Sequence, residues 1–257
     1  PFSVTPELMR ETVEIAREYV LQIHTHLAET RDENDFCLEK FNKRPFALLK
    51  SLNWITDRAW FAHSVHLNDE EIKQAGQKRV GVSHCPTSNM RLGSGIARVK
   101  ELLRAGVNVS LAVDGSASND SSNMLLELRN TLLLSRLREQ KYWLSTEELL
   151  WMATVGGAKA LGRNDIGQIV PGKCADMTAI SMDKIEYSGA QHDPAGAILF
   201  CAAMEPVDYV IVNGKVIVDQ GKIKSIDEQQ LIREHQKISD ALIARAEKSM
   251  NKKLTRK

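Results

Sequence analysis

Long apolar runs are missing from this sequence. None approaches the roughly 18–20 residues of a membrane-spanning helix, so no membrane partner is expected. Cysteine is scarce. Cys37, Cys85, Cys174 and Cys201 are scattered, without the close pairs of a structural zinc site or a disulfide framework. They read as reduced thiols in a cytoplasmic protein. An excess of one charge is missing too. Lys+Arg 34 against Asp+Glu 33 leaves a net charge of +1, which argues against a dedicated nucleic-acid surface. No internal repeat or low-complexity stretch appears. The first residue is proline, not methionine, and the expectation is a chain that starts inside a longer protein.

What is present is a 257-residue sequence with an ordinary 43% of hydrophobic residues, enough for one large domain and a smaller one. "TPELMRETVEIARE" has a threonine cap, proline at the first helical position and an early glutamate, so it reads as a helix. "VLQIHTH" reads as a buried strand. Helices are expected in "DENDFCLEKF" and "RPFALLKSLNWI", a strand in "AWFAHSVHL", and a capped helix in "NDEEIKQAGQK". A third strand, "RVGVSHCP", is followed by a helix in "GIARVKELLRAG", a fourth strand in "VNVSLAVDG" and a long helix in "SSNMLLELRNTLLLSRLRE". Strands alternating with helices predict a parallel sheet with right-handed crossovers. After about residue 165 the pattern turns β-rich. Asn213-Gly214 between two valine/isoleucine runs is a hairpin signal. "DEQQLIREHQKISDALIARAEKSM" then predicts a C-terminal helix that packs on the domain.

The polar residues of interest lie at the C-terminal ends of the expected strands, where parallel α/β folds carry their sites. That position fits a β/α barrel and an open sheet equally. His26 precedes Glu29 by three residues. A neutral imidazole suits zinc or iron, and a carboxylate beside a metal can move a proton. His24 shares the face of His26 and is expected to pack. His63, ending an apolar run, competes with His66 on the following loop. His84, before Cys85 and Pro86, leans to a structural role. Asp114 follows the apolar run "VSLAV". It is costly there unless it binds a cation or is fully hydrogen-bonded, and it can also simply cap the turn. Each residue alone can be a satisfied buried group. Together, three strands ending in histidine and one in aspartate on one rim are what a mononuclear metal hydrolase needs.

The motifs "HTHLAET", "AHSVHL", "SHCPTSNMRLGSGIA" and "VDGSASNDSSNML", in this order, resemble the amidohydrolase superfamily, in its cytosine/guanine deaminase-like branch. "IGQIVPGKCADM", "HDPAGAILFC" and "DYVIVNGKVIVDQGKI" resemble it as well, so the likeness spans nearly the whole chain. The resemblance implies metal-dependent hydrolytic deamination of an amino-substituted, purine-like heterocycle. 8-Oxoguanine giving urate and ammonia is the first expectation. Guanine, isoxanthopterin, S-adenosylhomocysteine and hydroxyatrazine are alternatives. By position, His26 resembles the metal ligand of the fifth barrel strand, and Glu29 the acid/base that protonates a ring nitrogen. His63 resembles the sixth-strand histidine that orients the attacking water. Asp114 resembles the eighth-strand ligand and proton acceptor. One divalent metal is implied, zinc first and iron second, together with a cytoplasmic homo-oligomer.

One departure matters. The family also uses a His-x-His pair on its first barrel strand. Here the only such pair, His24-Thr25-His26, has three barrel strands after it instead of seven. The fold expected is therefore α/β: strands five to eight of a (β/α)8 TIM-type barrel over 1–165, part of a small β-sandwich over 166–224, and a C-terminal helix over 225–257. These 257 residues by themselves are expected to be inactive, with their substrate contacts unknown. A reading of another class stays open, a non-catalytic α/β binding protein.

Overall fold

The computed structural model describes residues 3–139, 141, 143–201 and 206–254. They divide into two compact units, Pro1–Cys174 with Met182–Glu205, and Ala175–Ser181 with Pro206–Lys257. The stretch 166–224, read from sequence as one β-unit, is shared between them.

The first unit opens with α1 (Pro6–Glu18), whose cap Thr5 accepts from the Leu8 amide and whose inner face buries Met9, Val13 and Ala16. β1 (Ile23–Leu27) follows, then α2 (Arg31–Phe41), α3 (Pro45–Ser51) and β2 (Ala59–His63). α4 (Asp69–Gln77) starts in a capping box in which Asn68 and Glu71 satisfy each other's amides. β3 (Gly81–His84) runs into a seven-residue helix, α5 (Pro86–Leu92), which the sequence patterns did not announce. The helix expected from Gly95 begins later, as α6 (Val99–Arg104). β4 (Asn108–Leu111) and the long α7 (Met124–Glu139) complete the alternation. α8 (Thr146–Trp151) continues through a π turn, Met152–Gly156, into α9 (Gly157–Ala160), and α10 (Pro194–Cys201) also belongs to this unit.

The four strands pair in parallel in chain order. Their register sorts side chains onto two faces with a period of two. Leu27, Phe61, Val82 and Val109 fall on one face and join the buried core with Leu49, Ile72, Leu102 and Leu128 of the helices. Fully burying each such side chain contributes about 1.5–3 kcal/mol. The other face carries His24, His26, Trp60, Ser83 and Ser110. A sheet with one apolar face and one polar face already locates the chemistry.

The second unit is an antiparallel sheet of β5 (Met177–Ala179), β6 (Tyr209–Val212), β7 (Lys215–Asp219) and β8 (Lys222–Ile223), paired in that order. Asn213 and Gly214 have φ of 48° and 77°, the left-handed pair a type I′ hairpin requires. The β-rich run expected from residue 166 pairs only at 177–179, because Gly167 and Gly172 turn the preceding chain at φ of 85° and 90°. α11 (Glu228–Met250) is capped by Asp227 and closes the unit; none of its residues is buried. No helix among the described residues is long and apolar enough to cross a membrane.

Candidate metal centre

The site forms where β1, β2 and β4 end on the polar face. His26 stands exposed on β1. Immediately after the strand, Ala28 turns at φ 51°, and the buried Glu33 carboxylate accepts both the Ala28 amide (2.9 Å) and the Glu29 amide (2.7 Å). Glu33 lies in the first turn of α2, so the helix holds the loop that carries Glu29.

His63 reaches the site by breaking a rule. Register pairs it with Leu27, which belongs to the apolar face. At φ 67° its backbone leaves the strand conformation, the alternation fails, and the imidazole stands 5.1 Å from the His26 ring, centroid to centroid. Its Nδ1 lies 2.9 Å from Asn89 Oδ1. Its Nε2 lies 3.7 Å from Glu29 Oε2 and 3.9 Å from Asp114 Oδ2.

Asp114 sits three residues past β4, at φ 64°. Its Oδ2 accepts from Ser88 (2.6 Å) and Ser118 (2.9 Å). Burial pushes this carboxyl up, but the Ser88 hydroxyl, the Gly115 amide, the Ser118 hydroxyl and nearby His63 outweigh it and hold it below its ordinary range. The loop that follows is tied down from inside. Asn119, fully buried, donates to Val113 O and to the buried carboxylate of Glu127, which also accepts the Thr87 amide.

Donor atoms of His26, His63 and Asp114 all lie within 4.8 Å of one another. His63 Nε2 is fully buried and meets no hydrogen-bonding partner among the described residues. A buried, unpartnered imidazole nitrogen beside the donor atoms of His26 and Asp114 suits a cation and the water it would hold, so the residues fit a divalent metal.

The other histidines are placed elsewhere. His24 stacks on Trp60 with ring centroids 3.6 Å apart, and its Nδ1 meets the Trp60 carbonyl at 3.1 Å. His66 Nε2 donates to Ser94 O at 2.8 Å. His84 pairs with Leu111 on the core face and is buried. Sequence reasoning missed Glu33, Asn89, Asn119 and Glu127. Only the polar residues inside "SHCPTSNMRLGSGIA" and "VDGSASNDSSNML" hinted at two of them, and nothing in their spacing distinguished them from turn formers.

Comparison with known proteins gives these contacts a family. The chain is 48% identical over 244 residues to the 8-oxoguanine deaminase of Pseudomonas aeruginosa, covering 95% of this chain and 54% of that protein. It is 38% identical over 246 residues to a 5-methylthioadenosine/S-adenosylhomocysteine deaminase of Pelotomaculum thermopropionicum, covering 95% of this chain and 57% of that one. The chain thus spans about half the length of the curated relatives it matches. Among solved structures, a zinc-bound adenosine deaminase from Xanthomonas campestris superposes with a TM-score of 0.90 at 30% identity, over 94% of this chain and 55% of that chain. The α/β fold with its parallel sheet is therefore shared with that zinc-bound deaminase. The family model of the amidohydrolases matches residues 1–217, and with that match the chain belongs to the amidohydrolase family.

Proposed function

We propose that this chain forms the second half of a metal-dependent aminohydrolase, with β1–β4 as strands five to eight of a (β/α)8 barrel and the small antiparallel sheet as part of a β-sandwich. The observation that carries the reading is His63 Nε2, buried and unpartnered, aimed between Glu29 and Asp114. The reaction is hydrolysis of a carbon–nitrogen bond in a cyclic amidine. 8-Oxoguanine is the substrate proposed first, because the relative acting on it is 48% identical.

His26 and Asp114 would hold the metal, zinc before iron on their mixed nitrogen and carboxylate donors. A divalent cation there would supply Lewis acidity and would bring the pKa of a water towards ~7. His63 Nε2 accepts from the attacking water and orients it towards the ring carbon bearing the exocyclic amine. Asp114 takes a proton as the new carbon–oxygen bond forms. Glu29 protonates the adjacent ring nitrogen. The carbon–nitrogen bond then breaks and the amine leaves as ammonia with the proton held by Asp114. The remaining hydroxyl proton returns to Glu29 as the product carbonyl forms. One water proton thus ends on ammonia and the other on the ring.

A screen of the full-length gene product for released ammonia or alkylamine, on purines, pterins and triazines, tests the reading together with metal analysis. Turnover of 8-oxoguanine with stoichiometric zinc is expected. Turnover of guanine, isoxanthopterin, S-adenosylhomocysteine or hydroxyatrazine instead would correct the substrate alone. No amine released from any of them and no bound metal would favour a binding protein.

A further inference from the structure

The proposed reaction uses His63 but gives Asn89 nothing to do. Yet Asn89 Oδ1 lies 2.9 Å from His63 Nδ1, with both residues at 0% exposure. An amide oxygen only accepts, so Nδ1 must carry the proton, and a neutral ring then keeps its lone pair on Nε2. Nε2 is the atom that faces Glu29 and Asp114. The opposite tautomer would turn an N–H towards those carboxylates and would ask Asn89 to donate instead. Asn89 is not free to drift. Its backbone N–H donates to Cys85 O at 3.0 Å, its backbone carbonyl accepts the Ser94 backbone N–H at 2.8 Å, and the nearby Thr87 backbone N–H is held by Glu127 at 3.1 Å.

We infer that Asn89 is a positioning residue for His63: its Oδ1 holds the imidazole in the Nδ1–H tautomer, so that Nε2 presents a lone pair to the site. The expected effect on rate rests on the reaction proposed above; the tautomer does not.

The test uses the full-length gene product, metal-loaded and with nitrogen-15 in its histidines, with the His63 signals assigned against His63→Gln. The wild type should carry its proton on Nδ1. Asn89→Asp keeps the accepting oxygen and removes the amide N–H, so it should keep that tautomer. Asn89→Leu removes the acceptor at similar volume and should shift the ring to Nε2–H or a mixture. On the substrate found by the screen, Asn89→Leu should lower kcat about 10–100-fold with KM little changed, the usual cost of removing a histidine's outer partner. An Nε2–H ring in the wild type, loss of the Nδ1–H form in Asn89→Asp, or its retention in Asn89→Leu would overturn the inference. If Asn89→Leu does not fold, the other two spectra decide. A protein inert towards every heterocycle but with this tautomer pattern would sink the proposed reaction and leave Asn89 its role.

Discussion

β2 and β3 lie side by side in one sheet and both end in histidine, yet the two imidazoles live in opposite surroundings. His84 obeys the strand's alternation. It pairs with Leu111, points into the core, and burial, with His63 nearby, pushes its pKa down to about 3. His63 breaks the alternation with φ 67° and is delivered to the polar face beside His26. Residue type and place in the strand are the same for both. What separates them is one backbone torsion, and a left-handed conformation at a residue with a side chain needs surrounding structure to hold it. The Ser64 backbone N–H, which donates to Leu27 O at 3.0 Å, and the Asn89 hydrogen bond belong to that support.

The contrast can be sharpened from its active side first. In the full-length protein, Asp114→Asn should abolish turnover, with a loss of at least the 10²–10⁴-fold typical of acid–base groups. Asn keeps the shape but cannot take the water's proton. Activity within tenfold of wild type would remove Asp114 from the mechanism. Glu29→Gln should slow turnover about 10²-fold or more while leaving metal content unchanged, since this carboxylate is assigned to proton transfer. Metal and rate falling together would make it a ligand.

His84 tests the buried side. An unfolded histidine titrates near 6.5, whereas His84 in the fold is pushed down to about 3. Between those values the unfolded chain binds more protons, so stability must fall as pH falls from about 6.5 towards 3. His84→Leu should flatten this acid limb in denaturant titrations at about pH 5 and 7. An unchanged limb would mean that the histidine is not held neutral by burial. The smallest effect is expected at the start of the same strand. A Cβ on Gly81 would sit 2.7 Å from Trp60 Cβ, so Gly81→Ala should cost about 1–3 kcal/mol of stability through overpacking. Unchanged thermal unfolding would show that Trp60 can shift.

The same contrast shows how far the sequence could be read. Four apolar runs followed by polar residues predicted the parallel strands and the rim, because burial of a run and exposure of its end are local properties. That basis raised His26, His63 and Asp114 together with His24, His66 and His84; the family resemblance chose the first three and gave Glu29 its role, and the structure brings those four together. The supports were illegible. Asn89 meets His63 from 26 residues away and Glu127 meets Thr87 from 40, and no periodicity encodes such meetings. α5 was hidden for another reason. It is seven residues long, and its proline was read as the end of a strand when it is also the start of a helix.

The two amides gripped by Glu33 have a consequence for entropy. With Ala28 N and Glu29 N both anchored, the backbone beside Glu29 has no slack of its own. The place of the Glu29 carboxylate is then decided by its three side-chain torsions alone. The first two have three staggered wells each and the third only turns the carboxylate about its own axis, so the carboxyl carbon samples a countable list of positions instead of the continuous cloud a loose loop would give. A proton carried on it has few places to be.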